Sequence, residues 1–326
     1  MRTAVITGIT GQDGPLLSKV LLDRGCRVTG LVRASSAPNR QSLKFCGLND
    51  RVELIPADLS DLPSLIRLLE RLRPHEVYNL AAQSSVARSF DEAISTFSFN
   101  THSVINLLEA IRIASPRTRF YQASSSEMFG NVADLPITPN TPMRPVSPYG
   151  ISKAAAHWIA VHYRDAYGLF VTCGILFNHE SALRAEHFVT KKILSAAVRI
   201  KYGARDRLRL GNLSVQRDWG YAPEYVQAMS DMVTRDNPDD FIICTGAAHS
   251  LRTFVETAFD SCGLDWSEHV DIDESLVRRT EIRTIYGDPT RAQQQLGWRH
   301  SLSFREMIAK LVQDETAHQA FLAAQG

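Results

Sequence analysis

Short apolar runs alternate with longer amphipathic stretches along the first half of the chain. The apolar runs predict strands at residues 3–7, 27–32, 52–56, 76–80 and 119–123. The intervening patterns predict helices from a glycine-rich turn to residue 24, at 62–72 and at 100–113. Alternation of strands and helices at this spacing indicates an α/β fold with a parallel, doubly wound sheet. Continuous apolar strands of this kind are typical of a sheet covered on both faces.

The second half of the chain is less regular. It opens with a helix predicted at 148–167, which has a proline at its start, and a strand at 169–176. Further helices are predicted at 189–202, 221–234 and 303–321, and short strands at 208–210 and 240–244. We therefore expect a first domain over residues 1–177, to which a segment at about 208–235 returns. A smaller mixed domain is expected over residues 178–326.

Composition narrows the possible functional classes. The 326 residues include 36 basic and 35 acidic side chains, so the chain lacks the basic excess of a general nucleic-acid binder. No apolar run reaches the roughly 18 residues that a membrane-spanning helix needs. The five cysteines are scattered without a CxxC pair or zinc spacing, which is typical of reduced thiols in the cytoplasm. We expect a cytoplasmic protein without a metal site, whose partners are neither nucleic acid nor membrane.

A glycine-rich turn follows the first predicted strand and opens the first helix. Its glycines, Gly8, Gly11 and Gly14, have the spacing GxxGxxG. Glycines let the backbone turn tightly and approach a pyrophosphate, which binds to free N–H groups at the helix start. This placement predicts a dinucleotide site; the alternative is a tight turn without a ligand. Three more residues of the turn are predicted to contact the dinucleotide: Thr10, Gln12 and Asp13.

The end of the second strand indicates which dinucleotide binds. An acidic residue there would bind the ribose 2′-hydroxyl of NAD, whereas this chain has Arg33, followed by Ser35 and Ser36. A cation and two hydroxyls fit a 2′-phosphate, so we predict NADP, with Arg40 as a second cation. The alternative is that Arg33 is a solvated loop cation.

The third strand ends beside a further candidate for cofactor binding. Asp58 is placed to meet the adenine amino group, and Leu59 stands next to it. Because aspartate is common at helix N-caps, the alternative is that Asp58 caps the next helix.

Tyr149 and Lys153 lie four residues apart on a predicted helix, so their side chains share one face. A lysine ammonium favours phenolate and lowers the pKa of a nearby tyrosine. Such a tyrosine can accept a proton from a sugar hydroxyl while hydride leaves the same carbon. Together with the glycine motif, this pair resembles the short-chain dehydrogenase/reductase superfamily in its extended form, which implies a Rossmann-type fold. The superfamily's cofactor-side motif is matched by Leu80, Ala81 and Ala82.

Ser125, Ser126 and Glu127 follow the fifth predicted strand. Ligands of an open parallel sheet bind beyond the carboxyl ends of the strands, so these side chains can face a substrate. A plain reductase of this superfamily needs one hydroxyl and no carboxylate there. Glu127 therefore suggests a base for a second proton, one on carbon. The alternative is that Glu127 caps or pairs within its own loop.

Several separate segments resemble the GDP-mannose 4,6-dehydratases. They are residues 7–14, 78–83, 120–124, 174–181, 188–193, 217–220, 287–292 and 296–298. The resemblance implies an NADP-dependent, redox-neutral lyase that converts GDP-mannose to GDP-4-keto-6-deoxy-mannose. In such a reaction, Tyr149 would take the O4 proton as the C4 hydride passes to NADP⁺, and Glu127 would remove the C5 proton. Water would leave from C6 and the hydride would return there, with Ser125 holding O4 and Ser126 assisting the acid step.

The same resemblance implies substrate contacts in the second domain. These residues are Asn178, Glu180, Lys192, Arg217, Arg278 and Glu281. Lysine and arginine suit a diphosphate because they neutralise its charge and hydrogen-bond to it. The alternatives are an ion pair of Arg217 with Asp218, a solvated helix face for the lysines at 191–192, and surface charge for the arginines at 278–279. A homodimer or homotetramer is also implied.

Two other classes of function stay open from the sequence. One is a nucleotide-sugar 4-epimerase or 4-keto-sugar reductase of the same superfamily, neither of which needs Glu127 as a base at C5. The other is a protein that keeps the cofactor pocket and has lost the chemistry, which the intact set of candidate residues disfavours.

The chain also departs from the dehydratase pattern. Ser125 stands where the family has threonine, and Ala34 follows Arg33 where the family has a second arginine. Further changes are at Met143, Ala182, Ala185 and Arg283. These positions surround the expected sugar and subunit contacts, so they suggest an altered sugar or an altered assembly.

Overall fold

Seven parallel strands form the central sheet of the computed structural model, which describes residues 1–33, 40–277 and 280–325. Numbered along the chain, they are β1 (Thr3–Thr7), β2 (Arg27–Arg33), β3 (Glu53–Ala57), β4 (Glu76–Asn79), β5 (Arg119–Ser125), β6 (Val171–Leu176) and β11 (Asp240–Ile243). Their order across the sheet is β11-β6-β5-β4-β1-β2-β3. The order reverses between β1 and β4, which is where an open parallel sheet forms its ligand cleft. The predicted Rossmann-type fold is therefore confirmed.

Helices cover both faces of this sheet. They are α1 (Asp13–Asp23), α2 (Gln41–Phe45), α3 (Leu62–Leu72), α4 (Val86–Asp91), α5 (Ala93–Ala114), α6 (Pro148–Tyr167) and α8 (Ala222–Thr234). Val5 of β1 packs with α3, α5 and α6, whereas its neighbour Ile6 packs with α1 and α8. Successive side chains of a strand point to opposite faces, so the strands need apolar residues at every position.

The longest helix predicted in the second half, α6, has the predicted bounds because both of its ends carry local signals. The Ser147 side chain accepts a hydrogen bond from the Gly150 N–H, and Pro148 occupies the first helical position. Gly168 ends the helix with a φ of 66°, a left-handed conformation that favours glycine. In contrast, α5 begins at Ala93, seven residues before the predicted start.

Two of the remaining elements belong with the central sheet. The 3-10 turn Ser126–Met128 follows β5, and Ala292 of α10 (Thr290–Gln295) is buried with side chains of β11, α1 and α8. The others form a smaller mixed layer. Its helices are α7 (Val189–Lys201), α9 (Leu251–Asp260) and α11 (Phe304–Ala323), with 3-10 turns at Trp266–Glu268 and Glu274–Leu276. Its strands are β7 (Asn178–Glu180), β8 (Leu208–Leu210), β9 (Gln216–Arg217), β10 (Trp219–Tyr221), β12 (His249–Ser250), β13 (Val270–Ile272) and β14 (Thr284–Ile285). β7 pairs with β10, β8 with β13, and β9 with both β12 and β14. Apolar residues of α7, α9 and α11 share one buried cluster.

The segment expected to return to the first domain, residues 208–235, divides in two. α8 does pack against the central sheet, and β11 after it is the edge strand of that sheet. β8 does not return, because it pairs with β13 and Leu210 is buried among the side chains of α7, α9 and α11. β9 and β10 also pair outside the central sheet, so the expectation is wrong for residues 208–221. The boundary at residue 177 stays a prediction.

Within the described ranges, no helix combines the length and the apolar character that crossing a bilayer requires. The same residues contain no cluster of three or more histidine, cysteine, aspartate or glutamate side chains arranged to hold a metal ion.

Candidate active site

A cavity of about 410 Å³ lies at the carboxyl ends of β5 and β6, beside the start of α6 and under α7. It brings together all five predicted catalytic residues: Ser125, Ser126, Glu127, Tyr149 and Lys153. Three predicted cofactor residues also line it, namely Asp13, Leu80 and Ala82. From the predicted substrate residues it includes Asn178, Glu180, Lys192, Arg217 and Glu281. Residues far apart in the chain therefore converge on one site.

Other predicted cofactor residues do not line this cavity. They follow the ends of β1, β2, β3 and β4 and are Gly8, Thr10, Gly11, Gln12, Gly14, Arg33, Asp58, Leu59 and Ala81. Two predicted site residues, Ser35 and Arg278, lie outside the described residues, as does Ala34.

The glycine-rich turn has the close backbone contacts that its spacing predicts. Gly8 has a φ of 69°, and a Cβ there would lie 2.9 Å from the Ala81 amide nitrogen. A Cβ on Gly14 would lie 2.3 Å from the Ile9 carbonyl oxygen, so only glycine lets α1 approach β1 this closely. No side chain of the described structure caps α1, which leaves its first N–H groups available to an anion. The turn therefore fits the pyrophosphate of a dinucleotide.

A buried hydrogen-bond network holds the neighbouring strand ends in place. The Thr7 hydroxyl donates to Asn79 Oδ1 at 2.7 Å, and Asn79 Nδ2 donates to Gln122 Oε1 at 2.9 Å. The same hydroxyl accepts hydrogen bonds from the backbone N–H groups of Leu80 and Ala81. This network fixes the cofactor-side motif after β4 relative to the glycine-rich turn.

Arg33 and Asp58 are cofactor candidates at the ends of β2 and β3. Arg33 is exposed at the end of β2. Asp58 accepts hydrogen bonds from the Ser60 N–H and hydroxyl at 2.9 and 2.6 Å, while α3 is capped by Asp61. The alternative that Asp58 caps this helix is therefore wrong, and its role toward adenine stays a prediction. The side chain of Leu59 is buried in the core.

The 3-10 turn Ser126–Met128, called the catalytic turn below because it carries Glu127, packs directly on the start of α6. Ser125 Oγ accepts a hydrogen bond of 3.2 Å from the Glu127 N–H, which closes the 3-10 turn after β5. A Cβ on Gly150 would lie only 2.6 Å from the Glu127 carbonyl oxygen. The glycine after Tyr149 thus allows the close approach that places Tyr149 beside Ser125 and Glu127.

The predicted lowering of the Tyr149 pKa by Lys153 is wrong for this structure. Burial raises the pKa of Tyr149 to about 12, although its hydrogen bond with Ser125 acts in the opposite direction. Lys153 Nζ donates to the Ala123 carbonyl oxygen at 2.5 Å, and burial lowers the pKa of Lys153 to about 8. Desolvation is the largest cause of both shifts, because both groups lie inside the protein.

We expect Gly150→Ala to reduce kcat about 100-fold while the protein still folds. The added methyl group would push the Glu127 backbone away from Tyr149, and misplacement of reacting groups by about 1 Å can cost this much. The measurement is kcat together with the circular dichroism spectrum of the variant. Unchanged kcat in a correctly folded variant would contradict the tight contact.

On the substrate side, the two predicted carboxylates are held by neighbouring side chains. Glu180 is buried; its Oε2 accepts a 2.7 Å hydrogen bond from the Thr190 hydroxyl and lies 3.3 Å from Arg184 Nε. Glu281 Oε2 accepts a hydrogen bond of 3.3 Å from Asn212 Nδ2. Direct substrate contacts of these carboxylates stay predictions.

The basic residues have distinct surroundings. Arg217 is buried and donates to the Ile282 carbonyl oxygen at 2.7 Å, while the Asp218 carboxylate accepts hydrogen bonds from the Thr245 N–H and hydroxyl. Asp218 is therefore committed to that loop, which does not support it as the ion-pair partner of Arg217. Lys192 is exposed and faces the cavity.

For Lys191, the neighbour of Lys192, the alternative of a solvated helix face is wrong. Lys191 is 1% exposed and donates to Glu315 Oε2 at 2.5 Å and to the Ala182 carbonyl oxygen at 2.8 Å.

The cavity residues that sequence reasoning missed include Arg184, His187 and Arg209. Arg184 places its Cζ 3.8 Å from the centre of the Phe188 ring, and His187 and Arg209 also face the cavity. Burial lowers the pKa of His187, and the nearby cations Arg184 and Lys192 lower it further. For Arg184 and His187 the available signal was their position between the matched segments at 174–181 and 188–193. Arg209 lies outside these segments.

The fold and this site define a class of protein. It comprises Rossmann-type enzymes in which a serine, a glutamate, a tyrosine and a lysine lie beside a dinucleotide-binding turn. The family model described as GDP-mannose 4,6 dehydratase matches residues 5–311. The chain is 44% identical to GDP-mannose 4,6 dehydratase 1 of Arabidopsis thaliana, over 96% of this chain and 90% of that protein. It is 40% identical to GDP-mannose 4,6 dehydratase of Homo sapiens, over 95% and 90%. The chain belongs to the GDP-mannose 4,6-dehydratase family.

Solved structures agree on the fold. The UDP-glucose 4-epimerase of Thermotoga maritima, solved with UDP-glucose, superimposes with a TM-score of 0.85 at 21% identity, over 99% of this chain and 100% of that one. At this identity the likeness concerns the fold alone.

Proposed function

We propose that the protein is a hydro-lyase that converts GDP-mannose to GDP-4-keto-6-deoxy-mannose. The observation that carries this proposal is the placement of Glu127 in one cavity with Ser125, Tyr149 and Lys153. A 4-epimerase or a ketone reductase needs no carboxylate at this place, whereas a dehydratase needs a base for the C5 proton. Family membership supports the same conclusion.

The chain's own side chains divide the proton transfers between them. Tyr149 must be ionised to accept the O4 proton: burial raises its pKa to about 12, its hydrogen bond with Ser125 lowers the pKa, and the positive charge of a bound oxidised nicotinamide would lower it further. Ser125 orients O4. The C4 ketone then acidifies the C5 proton, which Glu127 removes. Glu127 passes this proton to the C6 hydroxyl, which leaves as water with help from Ser126. As hydride returns to C6, C5 takes up one proton, equivalent to the one that Tyr149 removed from O4. When bound, a nicotinamide cofactor takes up hydride from C4 and gives it back at C6, so no net oxidation occurs.

The cofactor in this proposal is NADP. The glycine-rich turn would hold its pyrophosphate, because Gly8 and Gly14 permit the close backbone approach and α1 presents free N–H groups there. The strand β2 ends in a cation, Arg33, where an enzyme specific for NAD would have a carboxylate. Arg33 would therefore bind the 2′-phosphate of NADP.

We expect Arg33→Ala to weaken NADP binding about 10-fold to 100-fold and to leave NAD binding nearly unchanged. The estimate follows from the loss of a hydrogen bond between charged groups. Dissociation constants for both dinucleotides, measured by calorimetry, check the expectation. Arg27→Ala, which removes the exposed cation at the other end of β2, is the matched control. Equal losses for NADP and NAD would contradict the assignment.

The nucleotide diphosphate would bind under α7. Lys192 and Arg217 face the cavity there, and Arg184, His187 and Arg209 add donors that can neutralise a diphosphate. The predicted contacts of Asn178, Glu180 and Glu281 belong to the same side of the cavity. Arg278 would complete this set from outside the described residues.

A mass-spectrometric assay of the purified protein tests the function. It combines the protein with NADP⁺ and GDP-mannose, and uses GDP-glucose and UDP-glucose as controls. Loss of one water from GDP-mannose alone, without net cofactor consumption, is the expected result. Loss of water from another GDP-hexose would keep the dehydratase and change the sugar. No loss of mass from any of these nucleotide sugars would overturn the proposal.

We further propose that the protein is a cytoplasmic homo-oligomer, either a dimer or a tetramer. Its five cysteines are all free thiols, as expected of a reducing compartment. The helices α5 and α6 expose Ile94, Phe97 and Trp158, with 86%, 43% and 59% of their surfaces accessible. Exposed apolar side chains on one face are enough for a twofold interface, since the same face serves both subunits. Light scattering tests this assembly, and a monomer at micromolar concentration would contradict it.

A further inference from the structure

The cofactor turn and the substrate strand meet at Asp13, which is half-buried, and His179, which is buried. Asp13 begins α1, and His179 is the middle residue of β7, between the cavity residues Asn178 and Glu180. His179 Nε2 lies 3.0 Å from Asp13 Oδ2, and His179 Nδ1 lies 2.7 Å from the Phe177 carbonyl oxygen. The contact with Asp13 spans 166 residues of sequence and joins the two sides of the site.

The contacts of His179 require a proton on each ring nitrogen. Both nitrogens face oxygen acceptors, and a neutral imidazole carries only one N–H. Only the imidazolium can donate to the Phe177 carbonyl oxygen and to the Asp13 carboxylate at the same time. Burial alone lowers the pKa of His179, but the attraction and hydrogen bond of Asp13 raise it overall. The same pair lowers the pKa of Asp13, against the effect of its burial.

A neighbouring glutamine strengthens the connection. Gln12 Nε2 donates to Asp13 Oδ1 at 3.1 Å and to the His179 carbonyl oxygen at 3.0 Å. Gln12 Oε1 accepts a hydrogen bond of 3.1 Å from the Ser181 hydroxyl. The side chains that sequence reasoning assigned to cofactor binding therefore hold the turn against β7.

Other ionisable groups also face this pair. Arg184 opposes the charge of His179, and the ring of Tyr225 on α8 stacks on His179 with its centre 4.8 Å away. Asp13 also acts on the titration of three buried side chains from β5 and α6: Tyr121, Tyr149 and Lys153. Asp13 is thus the carboxylate that balances the proton on His179.

The pair also reduces the repulsion between the Asp13 carboxylate and a bound pyrophosphate. A carboxylate at the first residue of a helix that receives a pyrophosphate repels that anion. The imidazolium of His179 cancels this charge at a distance of 3.0 Å.

We propose that Asp13 and His179 are a charged positioning pair that fixes the substrate strand to the cofactor turn and that is released when His179 loses its proton. The proposal rests on the proposed function, because β7 matters to turnover only if the cavity binds a nucleotide sugar. Neither residue touches the reacting atoms in this account. Both act through Asn178 and Glu180, which flank His179, and through the turn itself.

The first test is nuclear magnetic resonance of the full chain labelled with ¹⁵N-histidine, without added substrate. Near neutral pH, both ring nitrogens of His179 should carry protons, and the signal is assigned by its loss in His179→Gln. In Asp13→Asn, one of these nitrogens should lose its proton at the same pH. A neutral His179 in the wild-type chain would overturn the proposal. Because no turnover is needed, this result is independent of the proposed function.

The second test follows the pH dependence of the chain. The folded-state pKa of His179 is raised, so its stabilising effect is complete below the ordinary histidine pKa and is lost as pH rises through the folded value. The thermal midpoint of the wild type should fall over this range, and KM for GDP-mannose should rise about tenfold with little change in kcat. In Asp13→Asn, KM for GDP-mannose should be high at every pH, and the thermal midpoint should change less with pH than in the wild type.

Asp61→Asn is the matched control, because Asp61 begins α3 at the end of a neighbouring strand and asparagine also caps helices. Its pH profiles should equal those of the wild type. If Asp13→Asn keeps the wild-type profiles, the pair has no positioning role. If the protein turns over no GDP-hexose, the affinity for GDP measured by calorimetry replaces KM, and an affinity independent of pH in the wild type would overturn the proposal.

Discussion

Glu127→Gln is expected to stop catalysis after oxidation at C4 and to slow dehydration by about 10²-fold to 10⁴-fold. This is the range that a positioned general base contributes. Glutamine has nearly the shape of glutamate, and the bond that closes the catalytic turn comes from the backbone N–H of residue 127 to Ser125 Oγ. The turn should therefore persist, while the amide is unable to remove a proton from C5.

The measurement combines absorbance of reduced nicotinamide with mass spectrometry of a single turnover. Reduced cofactor should accumulate on the variant with a GDP-4-keto-hexose that has lost no water. Glu53→Gln, an exposed position on β3 that pairs with Arg27, is the control and should behave as the wild type. Normal dehydration by Glu127→Gln would assign the C5 base to another group.

Tyr149→Phe is expected to remove even the first oxidation, with a loss of about 10³-fold or more in kcat. The variant keeps the aromatic ring that fills the buried position and loses only the hydroxyl that is hydrogen-bonded to Ser125. Without this hydroxyl, the position beside Ser125 and Glu127 has no group that can accept the O4 proton. Neither reduced cofactor nor product should appear.

Tyr167→Phe gives a matched control, because Tyr167 is on the same helix and is exposed. It should retain wild-type kcat. Burst absorbance in the Tyr149→Phe variant equal to that of Glu127→Gln would show that another group accepts the O4 proton. The two variants together order the reaction, since one blocks it before hydride transfer from C4 and the other after it.

The positions of the helices illustrate which parts of the fold are encoded locally. α3 and α6 have the predicted bounds because their end signals are local. Each helix has an aspartate or serine cap and a proline in its first turn, and α6 also ends at a glycine. α5 begins earlier than predicted, in a stretch with alternating polar and apolar residues. There Gln83 Nε2 donates to the Thr96 hydroxyl and Asn100 Nδ2 donates to the Gln83 carbonyl oxygen, so contacts outside the helix favour its first turns.

The candidate site divides in the same way. The glycine spacing, the Tyr149–Lys153 pair and Glu127 could be found from sequence because each is a local pattern with its own chemistry. The surroundings of Lys191 could not, since Glu315 is 124 residues away and helical periodicity alone places a lysine pair at the surface. The raised pKa of Tyr149 was missed for a related reason, because burial is set by packing around the whole cavity.

The sequence by itself determined the sheet-and-helix order of the first half, the glycine-rich turn, the candidate catalytic residues and the family. Each depends on residues close together in the chain or on motifs that occur in a recognisable order. Only the tertiary structure decided that β8 stays with the second layer, that Gln12 and Asp13 contact β7, and that each ring nitrogen of His179 faces an oxygen atom. The physical reason is that strand pairing, burial and the charge of a buried group depend on partners that folding brings together from distant parts of the chain.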